Sequence, residues 1–148
     1  MDEINELLGR FYSAWRANDA AYGAWAGRYG LSLTELLILY SFWEEDGESR
    51  TQAEICRKWT MPKQTVNSAL KELGRRGYVA LAPSERDRRA KAAALTEPGR
   101  EFASKVIGEL RTVEKRACAA LGAESLRAMT EAVERYAELF RAGAGEGA

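Results

Sequence analysis

Between residues 51 and 99 the chain reads TQAEICRKWTMPKQTVNSALKELGRRGYVALAPSERDRRAKAAALTEPG, and here the apolar period passes from helical to strand-like while the charge turns basic. Thr51 with Glu54 three residues on is a capping box, in which each side chain satisfies an orphan amide of a helix's first turn. A four-residue break, Trp59 to Pro62, restarts the chain. Pro62 is expected in the first turn of the second helix, where its missing N–H costs nothing. That helix runs on to Gly77, which suits a C-terminal cap. Val66, Ala69, Leu70 and Leu73 fall within about 100° of arc at roughly 100° per residue, so this face packs inward. Opposite lie Gln64, Ser68, Lys71 and Arg75, with Thr65 and Asn67 on the flanks, a stripe holding neither an acid nor a large apolar group. YVALAP and AKAAALT then suit two short strands joined by SERDRRA. Val79 and Leu81 alternate with smaller residues, as do Ala93 and Leu95, which fits a hairpin half buried against helices. Alanine is a poor strand former, so the hairpin rests mainly on its context.

Net charge is zero, from 22 basic and 22 acidic residues, yet the charges are segregated. Residues 1–49 hold 3 basic and 9 acidic residues, residues 50–91 hold 11 and 4, and residues 92–148 hold 8 and 9. A basic centre between acidic ends is what a local phosphate-binding surface needs. With 148 residues the chain is one domain-sized unit, long enough to bury about two-thirds of its unfolded surface. No apolar run reaches the roughly 18 residues that span a bilayer, and the opening MDEINELL is acidic, unlike a signal peptide. A cytoplasmic protein with no membrane partner is expected.

The flanks read as long helices. Leu7, Leu8, Phe11, Trp15, Tyr22, Trp25 and Tyr29 recur at helical spacing over residues 4–29, a segment about 40 Å long at 1.5 Å per residue. Such a helix cannot bury its whole stripe against a small core, so part of it must meet a partner. Ser32 and Glu35 form a second capping box, opening a buried helix through LTELLILYSFW. Thr96 and Pro98 start another helix, with Phe102, Val106, Leu110, Val113, Ala117 and Leu121 on one face. Gly122 interrupts it, and a last helix carries Leu126, Met129, Val133, Tyr136 and Phe140 until the glycine-rich tail. The expected organisation is a helical dimerisation region at 1–31 and 97–142, a central region at 32–96, and a flexible tail at 143–148.

Helix, turn, helix and charged hairpin, with P-K-Q-T-V-N-S in the second helix, D-R-R at the hairpin tip and L-T-E-P-G after the second strand, resemble the winged helix-turn-helix of the MarR family of bacterial transcription regulators. The resemblance extends over the flanking helices to about residue 142. It implies a mainly α fold with a small β-hairpin wing and N- and C-terminal dimerisation helices. It also implies a homodimer on double-stranded DNA, acting more often as a repressor than an activator. A two-fold dimer predicts a pseudo-palindromic operator. In a helix-turn-helix the N-terminal part of the second helix faces base edges. Gln64, Thr65, Asn67 and Ser68 are then the candidates for base contact, since Gln and Asn pair with adenine N6 and N7 and Thr meets a thymine methyl. Lys63, Lys71 and Arg75 suit phosphates, which fix register without carrying sequence information. At the tip, flanked by Arg86 and Arg88, the resemblance implies that Arg89 enters the minor groove while Asp87 holds its guanidinium. A narrow minor groove concentrates negative potential and attracts such an arginine.

In the family, small aromatic or phenolic effectors often bind where the dimerisation helices meet the winged region. Trp15, Tyr22, Trp25, Tyr40 and Trp43 could wall such a pocket, although aromatics at this spacing are also ordinary core. The chain has no histidine and two cysteines, which excludes an imidazole metal site and a thiolate-dominated structural zinc site. No metal or cofactor is expected. Peroxide-sensing members of the family use a cysteine near the N-terminus; this chain has none there, and Cys56 and Cys118 read as small core residues. Without histidine the usual nucleophile and base pairs are missing, and neither a phosphate-cradling glycine loop nor a dinucleotide fingerprint is present, so an enzyme is not expected. The alternatives are a winged helix used for protein contact, its basic face meeting an acidic partner, and a regulator that binds DNA without any ligand.

Overall fold

Both capping boxes form. In this computed structural model, which describes residues 2–44, 48–84 and 89–145, the Ser32 amide donates to Glu35 Oε2 at 3.0 Å and the Glu35 amide to Ser32 Oγ at 3.1 Å. The Thr51 amide donates to Glu54 Oε2 at 2.7 Å and the Glu54 amide to Thr51 Oγ1 at 3.2 Å. These caps set the starts of two of the helices in the order α1 (Asp2–Gly27), α2 (Leu33–Glu44), β1 (Arg50–Thr51), α3 (Gln52–Trp59), α4 (Lys63–Arg75), β2 (Val79–Pro83), β3 (Lys91–Leu95), α5 (Glu97–Leu121) and α6 (Ala123–Gly145). The described fold is mainly α with a small antiparallel sheet, as expected.

The sheet has one strand more than the expected hairpin. Its order is β1-β3-β2, with Arg50 opposite Ala93 and Thr51 opposite Ala92 on one side of β3, and Val79 opposite Leu95 and Leu81 opposite Ala93 on the other. Two residues carry no readable period, and Thr51 is at once the end of β1 and the cap of α3. β3 is therefore the central strand, and Ala92, Ala93 and Leu95 are buried in it. Burial here overrides the weak strand preference of alanine. Val79 is buried but Leu81 is 48% exposed, so only the inner end of β2 packs as expected. The Ser84 amide donates to the Ala90 carbonyl at 2.8 Å, below the hairpin tip.

The chain divides into two compact units, residues 1–108 and 109–148. In the first, Leu36, Ile38, Leu39 and Phe42 of α2 are buried, as are Ile55 of α3, Val66, Leu70 and Leu73 of α4, and Val106 and Ile107 of α5. At about 1.5–3 kcal/mol for each large apolar side chain, their burial is the main favourable term for this unit. α4 ends in a Schellman motif: the Tyr78 amide reaches the Leu73 carbonyl at 3.0 Å, the Gly77 amide reaches the Gly74 carbonyl at 3.0 Å, and Gly77 has φ +80°. Thr96 then ties the start of α5 to that turn. Its Oγ1 donates to the Gly77 carbonyl at 2.6 Å and accepts the Gly99 amide at 3.1 Å. Pro62 lies one position earlier than expected: it is the N-cap of α4, in extended conformation, and its carbonyl accepts the Val66 amide.

α1 spans nearly the expected length, and its one buried residue is Ala26. Ile4, Leu7, Tyr12 and Trp15 are exposed. In the second unit α6 buries no residue, and Met129, Val133, Tyr136, Leu139 and Phe140 are exposed, as are Val113 and Leu121 of α5. α6 continues through Gly145, taking in the first three residues of the expected tail. Cys56 and Cys118, expected in the core, are each half-buried, because α3 and the second half of α5 turn little of their surface inward. Among the described residues no helix is long and apolar enough to cross a membrane, and no group of three or more Cys, Asp or Glu is placed to hold a metal ion.

Candidate nucleic-acid interface

α4 is amphipathic in the way its sequence predicts. Val66, Ala69, Leu70 and Leu73 are buried, while Lys63, Gln64, Thr65, Ser68, Lys71 and Arg75 are exposed and Asn67 is half-buried on the flank. All four candidate base-contacting residues and all three candidate phosphate contacts therefore share the outer side of one rigid helix. Pro62 offers no side-chain cap to the first turn. Gln52 of α3 instead fixes the entry to α4, donating from Nε2 to the Lys63 carbonyl at 2.9 Å.

The turn between α3 and α4 is strained. Thr60 has φ 51° and ψ 48°, a left-handed conformation unusual for a β-branched residue. The Thr60 and Met61 amides both reach the Cys56 carbonyl, closing α3 tightly enough for α4 to start after three intervening residues. Behind the turn, Trp59 donates through Nε1 to Ser41 Oγ, and Ser41 Oγ donates to the Leu37 carbonyl at 3.2 Å. Lys58 pairs with Glu44. These bonds hold α3 against α2 behind the turn that leads into α4.

The start of α2 adds Ser32 and Glu35, which enter the sequence reading only as a capping box, and Thr34, which has no role in it. Ser32, Thr34 and Glu35 line an open cleft of ≈ 620 Å³ together with Pro62, Gln64, Thr65 and Ser68 of the turn and α4. Ser32 and Thr34 thus place hydroxyls beside the expected base-reading residues, a juxtaposition that only the tertiary fold creates.

Arg75 is not simply displayed for a phosphate. Its Nε donates to Glu72 Oε2 at 2.9 Å and its Nη2 to Glu72 Oε1 at 2.6 Å. The hydrogen bond from Arg75 holds the Glu72 carboxyl below its ordinary pKa, and the same bond raises that of Arg75. An acid therefore does border the outer stripe. The two residues lie three apart on a helix, so this pair was readable from spacing. Arg76, the next residue, has partners that no sequence spacing indicates: it reaches back to the carbonyls of Tyr29 and Gly30.

At the wing, Arg89 is exposed. Arg86, Asp87 and Arg88 lie outside the described residues, and with them the expected Asp87–Arg89 contact. Of the expected aromatic pocket, Tyr40 meets Trp43 and Trp59 edge-on at centroid distances of 6.2 and 6.4 Å. Trp25 instead packs on Tyr29 at 5.9 Å, Trp15 on Phe11 at 5.5 Å, and Tyr22 is half-buried.

A helix-turn-helix followed by a two-stranded wing that pairs back with β1, with a polar and basic outer face on its second helix, defines a winged helix-turn-helix protein. Residues 29–90 match the model of the MarR family. The structure of NMB1585, a MarR family regulator from Neisseria meningitidis, is similar at a TM-score of 0.79 and 26% identity, covering 100% of both chains. The transcriptional regulator BldR from Sulfolobus solfataricus is similar at 0.71 and 20% identity, over 90% of this chain and 96% of that one. Reduced AbfR bound to DNA is similar at 0.72 and 22% identity, over 95% and 96%. A comparison with curated proteins found no match. Over residues 29–90 the chain thus matches the MarR family, whose members are transcription regulators, and the structures similar to it over nearly all of its length include a MarR family regulator.

Proposed function

We propose that this protein is a sequence-specific double-stranded DNA-binding regulator that acts as a homodimer on a pseudo-palindromic operator, repressing by occlusion. The observation that carries the reading is the division of α4, apolar residues inward and Gln64, Thr65, Ser68, Lys63, Lys71 and Arg75 outward. That AbfR, a similar protein, has been captured bound to DNA supports the reading. Gln64, Thr65, Asn67 and Ser68 read base edges, Lys63, Lys71 and Arg75 hold phosphates, and Arg89 enters the minor groove.

The second copy covers apolar side chains that the lone chain leaves in water. Ile4, Leu7 and Trp15 on α1 are exposed, as are Met129, Val133 and Phe140 on α6. A small aromatic or phenolic effector acting on Trp15, Tyr22, Trp25, Tyr40 or Trp43 would release the operator by changing the separation of the two recognition helices. Screening by tryptophan fluorescence tests that part.

The test of the main reading is the salt dependence of duplex binding. Six phosphate contacts per dimer correspond to a slope of log K against log salt of roughly −5. A flat dependence contradicts the reading.

A further inference from the structure

Arg76 joins three elements through one side chain. It is the C-terminal cap of α4. Its Nη1 donates to the Gly30 carbonyl at 2.9 Å and its Nη2 to the Tyr29 carbonyl at 3.2 Å, 46 and 47 residues away in sequence. Those carbonyls belong to the turn that ends α1, where the Tyr29 amide meets the Ala26 carbonyl and the Gly30 amide meets the Gly27 carbonyl. Helix C-termini leave carbonyls without partners and carry the negative end of the helix dipole, so a cation is favoured there.

The guanidinium also lies against aromatic rings. Its centre is 5.2 Å from the Tyr78 centroid and 5.7 Å from that of Phe102 on α5. Tyr78 and Phe102 stack at 4.2 Å and 5°, and Tyr29 meets Phe102 edge-on at 6.3 Å. Arg76 thereby links the end of the recognition helix to the ends of α1 and the start of α5. Only a planar guanidinium can serve two successive carbonyls while its face lies on a ring; an ammonium is a single compact charge.

We propose that Arg76 is a positioning residue that sets the orientation of α4 relative to α1 and α5, and so fixes the half-site spacing that a dimer accepts. The proposal rests on the DNA-binding dimer reading above. α1 carries an exposed apolar face for the partner copy, and α4 carries the exposed face for DNA. A stiff connection between them converts the geometry of the dimer into the separation of two recognition helices. If the connection is loosened, each α4 still recognises its half-site, while the preference for one spacing is lost.

The experiment uses the full chain, wild type, Arg76→Gln and Arg76→Lys. Affinity is measured for a selected pseudo-palindromic duplex, for the same duplex with its spacer changed by one base pair, and for a duplex with one half-site. The expected result is that both variants keep wild-type dimer mass and half-site affinity within about twofold. On the full duplex Arg76→Gln loses tenfold or more and no longer discriminates spacer lengths, and Arg76→Lys falls between. Equal losses on half-site and full duplex, or an unchanged spacing preference in either folded variant, overturn the proposal. Wild-type protein that binds none of the duplexes overturns the DNA-binding reading itself, and the spacing role with it.

Discussion

A Cβ added at Gly99 would stand 1.9 Å from the carbonyl oxygen of Tyr78. The first turn of α5 is pressed against the strand entry at β2, and Thr96 closes the gap by bonding both the Gly77 carbonyl and the Gly99 amide. No rotamer change relieves a clash with backbone. Gly99→Ala is expected to destabilise the first unit by roughly 3 kcal/mol, read as a lower denaturant midpoint at constant slope. An unchanged midpoint contradicts this packing.

Thr60 offers a change in the opposite direction. Its left-handed backbone is disfavoured for a β-branched residue and tolerated by asparagine. Thr60→Asn is expected to stabilise the fold by about 0.5–1 kcal/mol, seen as a higher melting temperature, with duplex affinity retained. A lower melting temperature would mean that the Thr60 side chain makes contacts worth more than the strain.

Much of this architecture is visible in the sequence because its determinants are local. Thr51 with Glu54 and Ser32 with Glu35 predict helix starts by bonds within a single turn, and the spacing of Val66, Ala69, Leu70 and Leu73 identifies the buried face of α4. The features that escaped are non-local or too short to show a period. β1 exists because Arg50 and Thr51 find Ala93 and Ala92 more than forty residues on. Arg76 looked like one more basic residue after Arg75, yet its partners are at Tyr29 and Gly30. Leu81 matched the alternation of a half-buried strand, but it lies beyond the helices that cover Val79. Glu72 lies three residues before Arg75, a spacing at which the two can pair, although it stands beside the outer stripe and not on it.

The Glu72–Arg75 pair has a defined pH response. Glu72 has a folded pKa depressed by its hydrogen bond from Arg75, so the pair's contribution is present above the ordinary value of 4.5 and is lost as pH falls through the lower folded value. Carboxyl chemical shifts of Glu72 are expected to titrate below 4.5 in the wild type and to move up toward it in Arg75→Ala. Identical titrations in the two proteins would show that the pair does not form in solution.

The same pair limits how Arg75 can serve DNA. Breaking it frees a cation at the price of leaving Glu72 alone, so Glu72→Gln is expected to strengthen duplex binding and to steepen the salt slope by up to about 2, one cation in each protomer. Weaker binding with an unchanged slope would mean that Glu72 presents Arg75 rather than withholding it.

Substitution separates the proposed base readers on α4 from the proposed phosphate holders. Gln64→Ala and Asn67→Ala are each expected to cost about 1–3 kcal/mol on the preferred operator and to relax its sequence at one position. Lys71→Ala should weaken all duplexes alike and reduce the salt slope by about 2, one phosphate contact in each protomer. Arg89→Ala should weaken operator binding without altering dimer mass or melting temperature. A uniform loss for Gln64→Ala across unrelated sequences would remove it from base recognition.

The most direct test is selection of bound fragments from a random duplex pool with the full-length protein. The proposed function predicts a single enriched consensus whose two halves are related by a two-fold axis. Enrichment of an asymmetric single site, or no enrichment over the starting pool, contradicts it.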